Sequence, residues 1–410
     1  MNKIIPVEKL EIGMEVVALD KSWLETNILF HRFRVQSREE IRKLKENGIR
    51  MVTVRIPDPQ PAAAPGKETG RRPEEGESPI FREMEVLPIP TLKEWNALHD
   101  KTVAVVAKSF SEVRMGNVLD VAPLRNQVVE TLEMLLRDPR KNSFLVTLSE
   151  VDDESYVHSA NTMILAMGLA KQTGVPQEEI PRWGLAALLH DIGKALIPLD
   201  ILKKPGKLEP NEWDTMKRHP KLGHSILSKS KDDLVRGLCT HVAMEHHERK
   251  GGGGYPFGLD LPDIDPVSRS LMVLDIYEAL TAGRIYRPPL SPAKTLSYLL
   301  ERELHKLDPR AIANLVQMVG IYPVASLVLL TDGRIAMITS YKDPDTHTGP
   351  VDLLAIFSKP GVPLPEPVRL TLSTIDRSRV KQTYHPRELG LSPADISRYL
   401  EMAEAEPPDH

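Results

Sequence analysis

The spacing of apolar residues divides the chain into four parts, and the first part covers residues 1–56. Apolar runs predict strands over residues 16–19 and 51–54. Between them, Ser37 and Glu40 form a capping-box pattern, which predicts a helix through Lys45. We therefore expect a small N-terminal α/β domain over residues 1–56.

A stretch rich in proline and glycine follows over residues 57–83 and begins PDPQPAAAPGKETGRRPEEGESP. It has no periodic apolar face, so burial cannot offset the entropy that would be lost on ordering. We expect this stretch to be a flexible linker between two folded parts.

From residue 84 to residue 320, apolar residues recur at three- and four-residue spacing, which is typical of helices with one buried face. Helices are predicted over residues 124–136, 159–170, 183–189 and 268–282, with short proline or glycine breaks between them. Residues 321–410 return to strand-like runs, and Asp332 with Gly333 joins two of these runs in a β-hairpin pattern. The predicted fold class is therefore mainly α: a helical bundle, preceded by the small α/β domain and followed by a small β-rich extension.

Charge and composition exclude several classes of protein. The 53 basic and 57 acidic side chains give a net charge of −4, which argues against binding to DNA or to an anionic membrane. No apolar run has the length of a membrane helix, and Lys3, Glu8 and Lys9 interrupt any signal-peptide core, so we expect a cytoplasmic protein. The single cysteine, Cys239, excludes a disulfide framework and a thiolate-rich metal site. Metal ligands then have to be histidine, aspartate and glutamate.

Histidines are concentrated in the helical part of the chain. Seven of the thirteen lie between residues 158 and 247, namely His158, His190, His219, His224, His241, His246 and His247. His190 and Asp191 adjoin at the end of a strongly apolar helix, where burial of the pair is costly unless a cation neutralises it. His246 and His247 are adjacent, and neighbouring helix positions point about 100° apart. Such a pair can reach two metals, or one metal from two sides.

Two acidic residues extend this group. Asp275 is a carboxylate on an otherwise apolar helical stripe, and a buried aspartate needs a partner. Glu154 and His158 lie four residues apart and share one helix face, an arrangement that suits a metal site but is also common on solvated helices. Together the residue types indicate a divalent metal site, although any one of these histidines alone is more often an ordinary core or surface residue.

Four long stretches of the sequence resemble the successive motifs of the HD-GYP domain, a subfamily of the HD-superfamily metal-dependent phosphohydrolases. They follow the family order between Asp152 and Arg287 and read HDIGKALIPLDILKKPGKL, NEWDTMKRHPKLGHSIL, HHERKGGGGYPFGL and LDIYEALTAGRIYR. Ahead of them, LEIGMEVVALDKSWLET is similar to a small domain of uncharacterised function that often precedes HD-GYP domains, and we expect it to regulate the phosphodiesterase or to mediate assembly. The resemblance implies an HD-type helical bundle that opens the ring of cyclic di-GMP to linear pGpG, and in many members continues to GMP.

The family pattern, matched position by position, also implies the roles of individual residues. The implied metal ligands are Glu154, His158, His190, Asp191, His219, His246, His247 and Asp275. Asp191 is implied to bridge two ions, and a glutamate at the position of Glu154 accompanies a third ion in relatives, so we expect two or three divalent ions. The implied substrate-binding residues are Lys194, Gly254, Tyr255, Pro256, Arg284 and Arg287. Asp191 and Lys194 are the implied catalytic residues.

The expected chemistry is attack on phosphorus by a metal-bridging hydroxide, and ligation by nitrogen and oxygen favours iron or manganese. Two alternatives stay open: hydrolysis of cyclic GMP-AMP, and a catalytically weak module that binds a cyclic dinucleotide or a diguanylate cyclase (GGDEF) protein. A homo-oligomer is compatible with either. His224 and His241 match no ligand position, so we interpret them as residues that support the ligands or as ordinary bundle histidines.

Overall fold

The computed structural model describes residues 2–11, 14–19, 33–35, 41–42, 44–45, 49–55, 90–137, 154–282, 288–343, 348–375 and 378–404. The chain divides into two units, Met1–Val86 and Leu87–His410. The linker predicted over residues 57–83 lies outside the described residues, and so do Ser37 and Glu40 of the predicted capping box. The domain boundaries at residues 56, 83 and 320 stay predictions from the sequence.

The first unit contains a four-stranded antiparallel sheet. Its strands are β1 (Asn2–Pro6), β2 (Glu15–Leu19), β3 (Phe33–Arg34) and β4 (Met51–Arg55), in the order β1-β4-β2-β3. The strands predicted over residues 16–19 and 51–54 are confirmed as β2 and β4, which pair with Val16 opposite Val54. Val16, Val52 and Val54 are all buried in one apolar cluster, so the two strands present a common apolar face.

The second unit begins with a helical body. Its α-helices are α1 (Leu92–Arg114), α2 (Ala122–Arg137), α3 (Glu154–Gln172), α4 (Ile180–Leu189), α5 (Leu199–Leu202), α6 (Pro210–Met216), α7 (His219–Leu227), α8 (Thr240–Glu245), α9 (Pro266–Thr281), α10 (Pro292–Tyr298) and α11 (Pro309–Val319). The four helices predicted from apolar spacing are confirmed as α2, α3, α4 and α9. Within the described residues, no helix combines the length and apolar character needed to cross a membrane.

Helix α3 lies at the centre of the helical body. Its residues 157–170 are buried without interruption, and α1, α2, α4, α9 and α11 pack around it. A helix enclosed on all sides needs apolar side chains on every face, and Met163, Leu165 and Met167 have no exposed surface. His158 and Asn161 are polar residues buried on the same helix. Because buried polar groups need hydrogen-bond partners, these two residues mark the position of a polar site inside the bundle.

The first helix of this unit, α1, starts at a capping box. The Thr91 hydroxyl accepts the backbone N–H of Glu94 at 3.3 Å, and the Glu94 carboxylate accepts the backbone N–H of Thr91 at 2.7 Å. Trp95, Val106 and Phe110 are buried in the core on one side of the helix. Local capping therefore fixes where α1 begins, and its apolar face holds it along α3.

A five-stranded antiparallel sheet follows the helices. Its strands are β5 (Leu327–Leu330), β6 (Ile335–Asp343), β7 (Thr348–Lys359), β8 (Val362–Leu372) and β9 (Val380–Tyr384), in the order β8-β7-β6-β5-β9, and helix α12 (Pro393–Glu404) comes last. The hairpin predicted at Asp332 and Gly333 is confirmed by the pairing of β5 with β6, and Gly333 has a φ of 96°, which glycine adopts without strain. Leu327 and Met337 pack into the helical core, whereas Val328 belongs to a second cluster. One face of the sheet therefore shares its core with the helices.

His385 makes the stability of this unit sensitive to acid. Its side chain is buried, and its Nδ1 accepts the backbone N–H of Arg387 at 3.2 Å. Burial, reinforced by Arg387, lowers the pKa of His385 to about 4. In the unfolded chain a histidine has a pKa of about 6.5, so acid favours the unfolded state. The contribution to stability is complete above pH 6.5 and is lost as the pH falls towards 4.

We expect the His385→Asn variant, which keeps an acceptor at this position but does not titrate, to gain stability relative to the wild type as the pH falls. Between pH 8 and pH 5 the gain should be about 2 kcal/mol, because the wild-type histidine resists protonation over that range. Urea unfolding followed by circular dichroism measures it. His305→Asn, at an exposed histidine of the same unit, is the control. A difference between His385→Asn and wild type that does not change with pH would contradict this account.

Candidate metal centre

His190 and Asp191 stand where α4 ends. His190 is the last residue with a helical backbone, and Asp191 departs from it with φ −101° and ψ 7°. A short 3-10 helix, Ile192–Leu196, then turns the chain. The side chain of His190 has no exposed surface and that of Asp191 is 1% exposed. The helix end therefore places an imidazole and a carboxylate side by side in the core, as the apolar sequence around them predicted.

Three more histidines come from two other helix ends. His219 is the first residue of α7, while His246 and His247 directly follow the last residue of α8. Gly193 allows the chain after Asp191 to approach α7 closely, because a Cβ atom at this position would overlap the carbonyl oxygen of His219. A glycine is therefore required at this position if His219 is to reach Asp191.

Four buried imidazoles face one another in two pairs. The Nε2 atoms of His158 and His190 are 3.3 Å apart, and those of His219 and His246 are 3.1 Å apart. The Nδ1 atoms of three of these rings face backbone carbonyls: His190 faces that of Ala187 at 2.6 Å, His219 that of Met216 at 2.9 Å and His246 that of Val242 at 3.2 Å. An Nδ1–H that donates to a carbonyl leaves Nε2 as a bare acceptor. Two acceptors at this distance repel each other unless a cation lies close to both.

The carboxylate of Asp191 lies between the two pairs. Its Oδ2 is 3.3 Å from Nε2 of His190, and its Oδ1 is 3.2 Å from Nε2 of His219. The potential ligand atoms form two groups, each within 4.8 Å, namely His158, His190 and Asp191, and Asp191, His219, His246 and His247. Among the described residues, no donor forms a hydrogen bond with Oδ1 of Asp191, although this atom is buried. A donor set of imidazole nitrogens around a shared carboxylate fits divalent metal ions.

Burial and charge keep three members of this donor set, His246, His247 and Asp191, in the form that binds metals. Burial lowers the pKa of His246 to about 4 and holds the pKa of His247 well below its usual value, so both rings are neutral at pH 7. Burial by itself would raise the pKa of Asp191. The ammonium of Lys194, 2.5 Å from Oδ2, and the neighbouring histidines instead hold that pKa well below its usual value. Neutral imidazoles and an ionised carboxylate are the species that ligate divalent ions.

Negative charge accumulates at the His158 end of the site. Nδ1 of His158 is 2.5 Å from Oε2 of Glu278, and its Nε2 is 3.2 Å from Oδ1 of Asp275. Burial opposes protonation of His158, but the two carboxylates outweigh burial and raise its pKa to about 10. Burial likewise opposes ionisation of Asp275, yet His158 holds the pKa of Asp275 well below its usual value. This end of the site therefore favours a positive charge next to Nε2 of His158.

A glycine-rich loop after the histidine pair covers one side of the site. The ring of Tyr255 stacks on that of His247, with centroids 4.7 Å apart and an angle of 26° between the planes. Glu248, which has no exposed surface, accepts the backbone N–H of Phe257 at 2.7 Å and that of Leu259 at 3.0 Å. Because a buried carboxylate holds two backbone amides, the loop that carries Gly254, Tyr255 and Pro256 has a defined position beside His247.

Two family models match the chain: "Domain of unknown function (DUF3391)" over residues 2–124 and "HD domain" over residues 142–311. Cyclic di-GMP phosphodiesterase PA4108 of Pseudomonas aeruginosa is 32% identical to this chain over 412 residues, which cover 98% of this chain and 95% of that protein. The chain belongs to the HD-GYP phosphodiesterase family. The resemblance found in the sequence motifs is thereby confirmed, together with the fold class of an HD-type bundle between a small N-terminal domain and a C-terminal sheet.

Other comparisons cover less of the chain or show weaker similarity. The 3'3'-cGAMP-specific phosphodiesterase 1 of Vibrio cholerae is 38% identical over 183 residues, or 43% of this HD-GYP chain and 40% of that protein. A solved structure of Bd1817, a HDG"Y"P protein from Bdellovibrio bacteriovorus, aligns with 77% of this chain and with 98% of the Bd1817 chain. The sequence identity is 16% and the TM-score is 0.46. The HD match spans all the predicted metal ligands, whereas helix α1 lies inside the DUF3391 match.

The structure brings most of the predicted HD-GYP ligands together. The buried site contains His158, His190, Asp191, His219, His246, His247 and Asp275. Glu154 begins α3, one helical turn before His158, and its side chain lies outside the description, as do residues Arg284 and Arg287. Lys194 binds Asp191 directly. His224 and His241 are exposed on helices and take no part in the site, which agrees with their interpretation as ordinary bundle histidines.

Sequence reasoning missed two buried carboxylates that organise this HD-GYP site. Glu278 binds the far side of His158, and Glu248 holds the loop beside His247. Glu278 lies three residues after Asp275 and therefore on the same face of an apolar helix, a spacing that could have identified it. Glu248 follows the histidine pair directly. The charged residues next to it are typical of an exposed segment, so the sequence did not indicate that Glu248 is buried.

We expect Glu248→Gln to weaken substrate binding without removing metal. Glutamine has one acceptor oxygen where Glu248 has two, so one of the two backbone N–H groups loses its partner on the buried side chain, at a cost of about 1 kcal/mol. The loop with Tyr255 should then shift, and KM should rise more than kcat falls. Steady-state kinetics and metal analysis measure both effects. Asp260→Asn is the matched control, because Asp260 also accepts two backbone N–H groups of this loop but is exposed to water. Equal kinetics in the two variants would contradict the role of Glu248.

Proposed function

We propose that this HD-GYP chain hydrolyses cyclic di-GMP to linear pGpG with two divalent metal ions held on either side of Asp191. The observation that carries the proposal is the position of the Asp191 carboxylate between two groups of bare imidazole nitrogens. Similarity over nearly the full length to a protein named a cyclic di-GMP phosphodiesterase supports the choice of substrate.

The chain's own residues would hold the ions rigidly. One ion fits the group of His158, His190 and Asp191, and the other fits Asp191, His219, His246 and His247. When bound, such ions make a water acidic enough to attack phosphorus and neutralise charge on the phosphoryl oxygens. Nδ1 of each ligand in the two facing pairs binds a carbonyl or a carboxylate, which fixes both the tautomer and the direction of Nε2.

Residues around the ligands would bind and orient the substrate. Lys194 keeps Asp191 ionised, and as a fixed positive charge it would also attract a substrate phosphate. We propose Arg284 and Arg287 as further phosphate-binding residues, with support from the family pattern alone. The Gly254–Tyr255–Pro256 loop forms a wall beside His247, where it would limit the positions open to the dinucleotide.

We further propose iron or manganese as the bound metal. The ligand atoms of the site are imidazole nitrogens and carboxylate oxygens, and the single cysteine, Cys239, is buried with a pKa raised by burial to about 12. Such a ligand set suits these metals without selecting one of them by affinity.

Glu154, one turn before His158 on α3, is proposed as a ligand of a third ion. Metal analysis of the purified chain distinguishes two equivalents from three.

A second candidate function is hydrolysis of cyclic GMP-AMP. It is favoured by the 38% identity to a protein named as a 3'3'-cGAMP-specific phosphodiesterase. The two substrates share the phosphate ring and differ in one base, so the metal centre would serve either. The remaining alternative is a catalytically weak module that binds a cyclic dinucleotide or a diguanylate cyclase (GGDEF) protein.

Because cyclic di-GMP is a bacterial second messenger, the proposed activity also supports a cytoplasmic location.

The test is product analysis of the full chain loaded anaerobically with iron or manganese. Cyclic di-GMP and 3'3'-cyclic GMP-AMP are incubated in parallel, and the products are separated by chromatography. We expect cyclic di-GMP to disappear with the formation of pGpG, and at a higher rate than cyclic GMP-AMP. Further conversion to GMP would show a second cut. A reversed preference would favour the second candidate, and no turnover of either nucleotide by fully metallated protein would leave the binding module as the function.

A further inference from the structure

We propose that His99 is a positioning residue of the metal centre, acting on the ligand His158 through Asn161 and Glu278. His99 lies on α1, outside residues 142–311 that the HD model matches and inside the DUF3391 match. The proposal deepens the proposed metal-dependent function and rests on its metal site, but not on the identity of the substrate.

A continuous chain of hydrogen bonds joins His99 to the metal ligand. Nε2 of His99 is 2.9 Å from Oδ1 of Asn161, and Nδ2 of Asn161 donates to Oε1 of Glu278 at 2.7 Å. Oε2 of Glu278 is 2.5 Å from Nδ1 of His158. Asn161 and Glu278 are 0% and 1% exposed, and the side chain of His99 is 13% exposed. Water therefore has little access to the inner links, and each one depends on its protein partner.

The donor and the acceptor in each of these hydrogen bonds follow from the requirement that Nε2 of His158 binds a metal ion. For Nε2 of His158 to bind a cation, its Nδ1–H has to donate to Glu278. The other oxygen of Glu278 then accepts from the amide nitrogen of Asn161, which leaves Oδ1 of Asn161 to accept from Nε2–H of His99. If the Asn161 amide were rotated by half a turn, its oxygen would face the Glu278 carboxylate as a second acceptor. His99, by supplying a donor, selects the amide orientation that holds Glu278 in place.

Helix α1 also contacts the turn after Asp191, which belongs to the same ligand group as His158. At its last residue, Arg114 donates to the carbonyl oxygens of Ile197 at 3.3 Å and Lys194 at 3.4 Å, in the turn that follows Asp191. His99 and Arg114 are separated by about 22 Å along the helix axis. Helix α1 therefore contacts both the hydrogen-bond chain that supports His158 and the turn that follows Asp191. These two contacts make α1 suited to set the distance between His158 and Asp191.

The test compares variants that differ only in the donor at position 99. His99→Ala and His99→Phe remove it, and the phenylalanine fills the space of the ring. His99→Gln keeps an N–H close to the position of Nε2. Chelator competition measures the affinities for the two Mn²⁺ ions. We expect both variants without a donor to bind one ion about tenfold more weakly and the other ion with unchanged affinity. The kcat should fall with little change in KM, and His99→Gln should restore both values to within about threefold of the wild type.

Two controls separate positioning from a general loss of stability. His241→Ala removes an exposed histidine of the helical body and should leave both Mn²⁺ affinities unchanged. Adding His99→Ala to Glu278→Gln should cause no further loss of affinity, because His99 acts through Glu278. A lower thermal midpoint of His99→Ala with wild-type Mn²⁺ affinities would overturn the proposal, and so would additive losses in the double variant. Normal Mn²⁺ binding without turnover of cyclic di-GMP would instead contradict the proposed function alone.

Discussion

Replacement of Asp191 by alanine is expected to remove both metal ions and to lower the kcat for cyclic di-GMP by at least about 1,000-fold. Asp191 is the residue shared by the two ligand groups, and its two oxygens point to different groups. Without it, the first group keeps His158 and His190, and the second keeps the imidazoles of His219, His246 and His247. The second group then has no carboxylate to offset the desolvation of a divalent ion, and the first group keeps Asp275 beside His158 but loses the carboxylate that lies next to His190.

Metal analysis by mass spectrometry and product chromatography would measure the two losses. Asp191→Asn keeps the shape of the side chain and removes its charge, so it should also lose metal if charge is the decisive property. Asp200→Ala, at an exposed aspartate on α5 nine positions further on, should keep the wild-type metal content and kcat. An Asp191→Ala variant that retained two equivalents of metal, or a tenth of the wild-type turnover, would refute the bridging role.

The second large effect is expected for Gly193→Ala. A Cβ atom at this position would overlap the carbonyl oxygen of His219 and press on the backbone nitrogen of Gly223, so the obstacle is backbone rather than a flexible side chain. The 3-10 helix after Asp191 and helix α7 would have to separate by about 1 Å, at a cost of about 3 kcal/mol. A displacement of this size between the ligands Asp191 and His219 should also lower kcat about 100-fold.

Thermal unfolding, metal analysis and steady-state kinetics would test the Gly193→Ala variant. Gly237→Ala is the matched control, because no described atom lies within 4 Å of a Cβ atom at that position, inside the π-helical turn Val235–Cys239. Alanine there should be neutral or stabilising by about 0.5–1 kcal/mol, since it replaces a glycine within a helix. If both variants had the same stability and the same activity, close backbone approach at Gly193 would not explain the metal site.

Short sequence motifs were sufficient to predict most of the residues that the structure brings together around Asp191. His190 and Asp191 are adjacent at the end of an apolar helix, and His246 and His247 are adjacent at the end of another. Their chemistry can be recognised within a few residues, because an apolar context makes an isolated charge costly. The side chain of Glu154 and residues Arg284 and Arg287 lie outside the described part of the chain, so their roles stay predictions.

The partners of those ligands could not be predicted in the same way. Glu278 binds a histidine 120 positions earlier, and His99 binds an asparagine 62 positions later. No local periodicity connects residues at such separations. The C-terminal sheet is a similar case, since the hairpin at Asp332 and Gly333 is encoded by its turn, whereas both faces of β5, β6 and β7 are apolar and do not indicate which one meets the helices.

The sequence by itself determined the family, the mainly helical fold, the hairpin and the residues predicted to supply nitrogen and oxygen ligands, because each of these depends on residue type and on spacing within one helix, strand or turn. Only the tertiary structure decided that the imidazole nitrogens face each other in pairs, that Asp191 lies between the pairs, and that Glu278 and Glu248 hold the ligand His158 and the glycine-rich loop. These features arise from packing between helix ends that are far apart in the chain. Their geometry is set by close contacts such as that of Gly193 with α7, which exist only after the helices have come together.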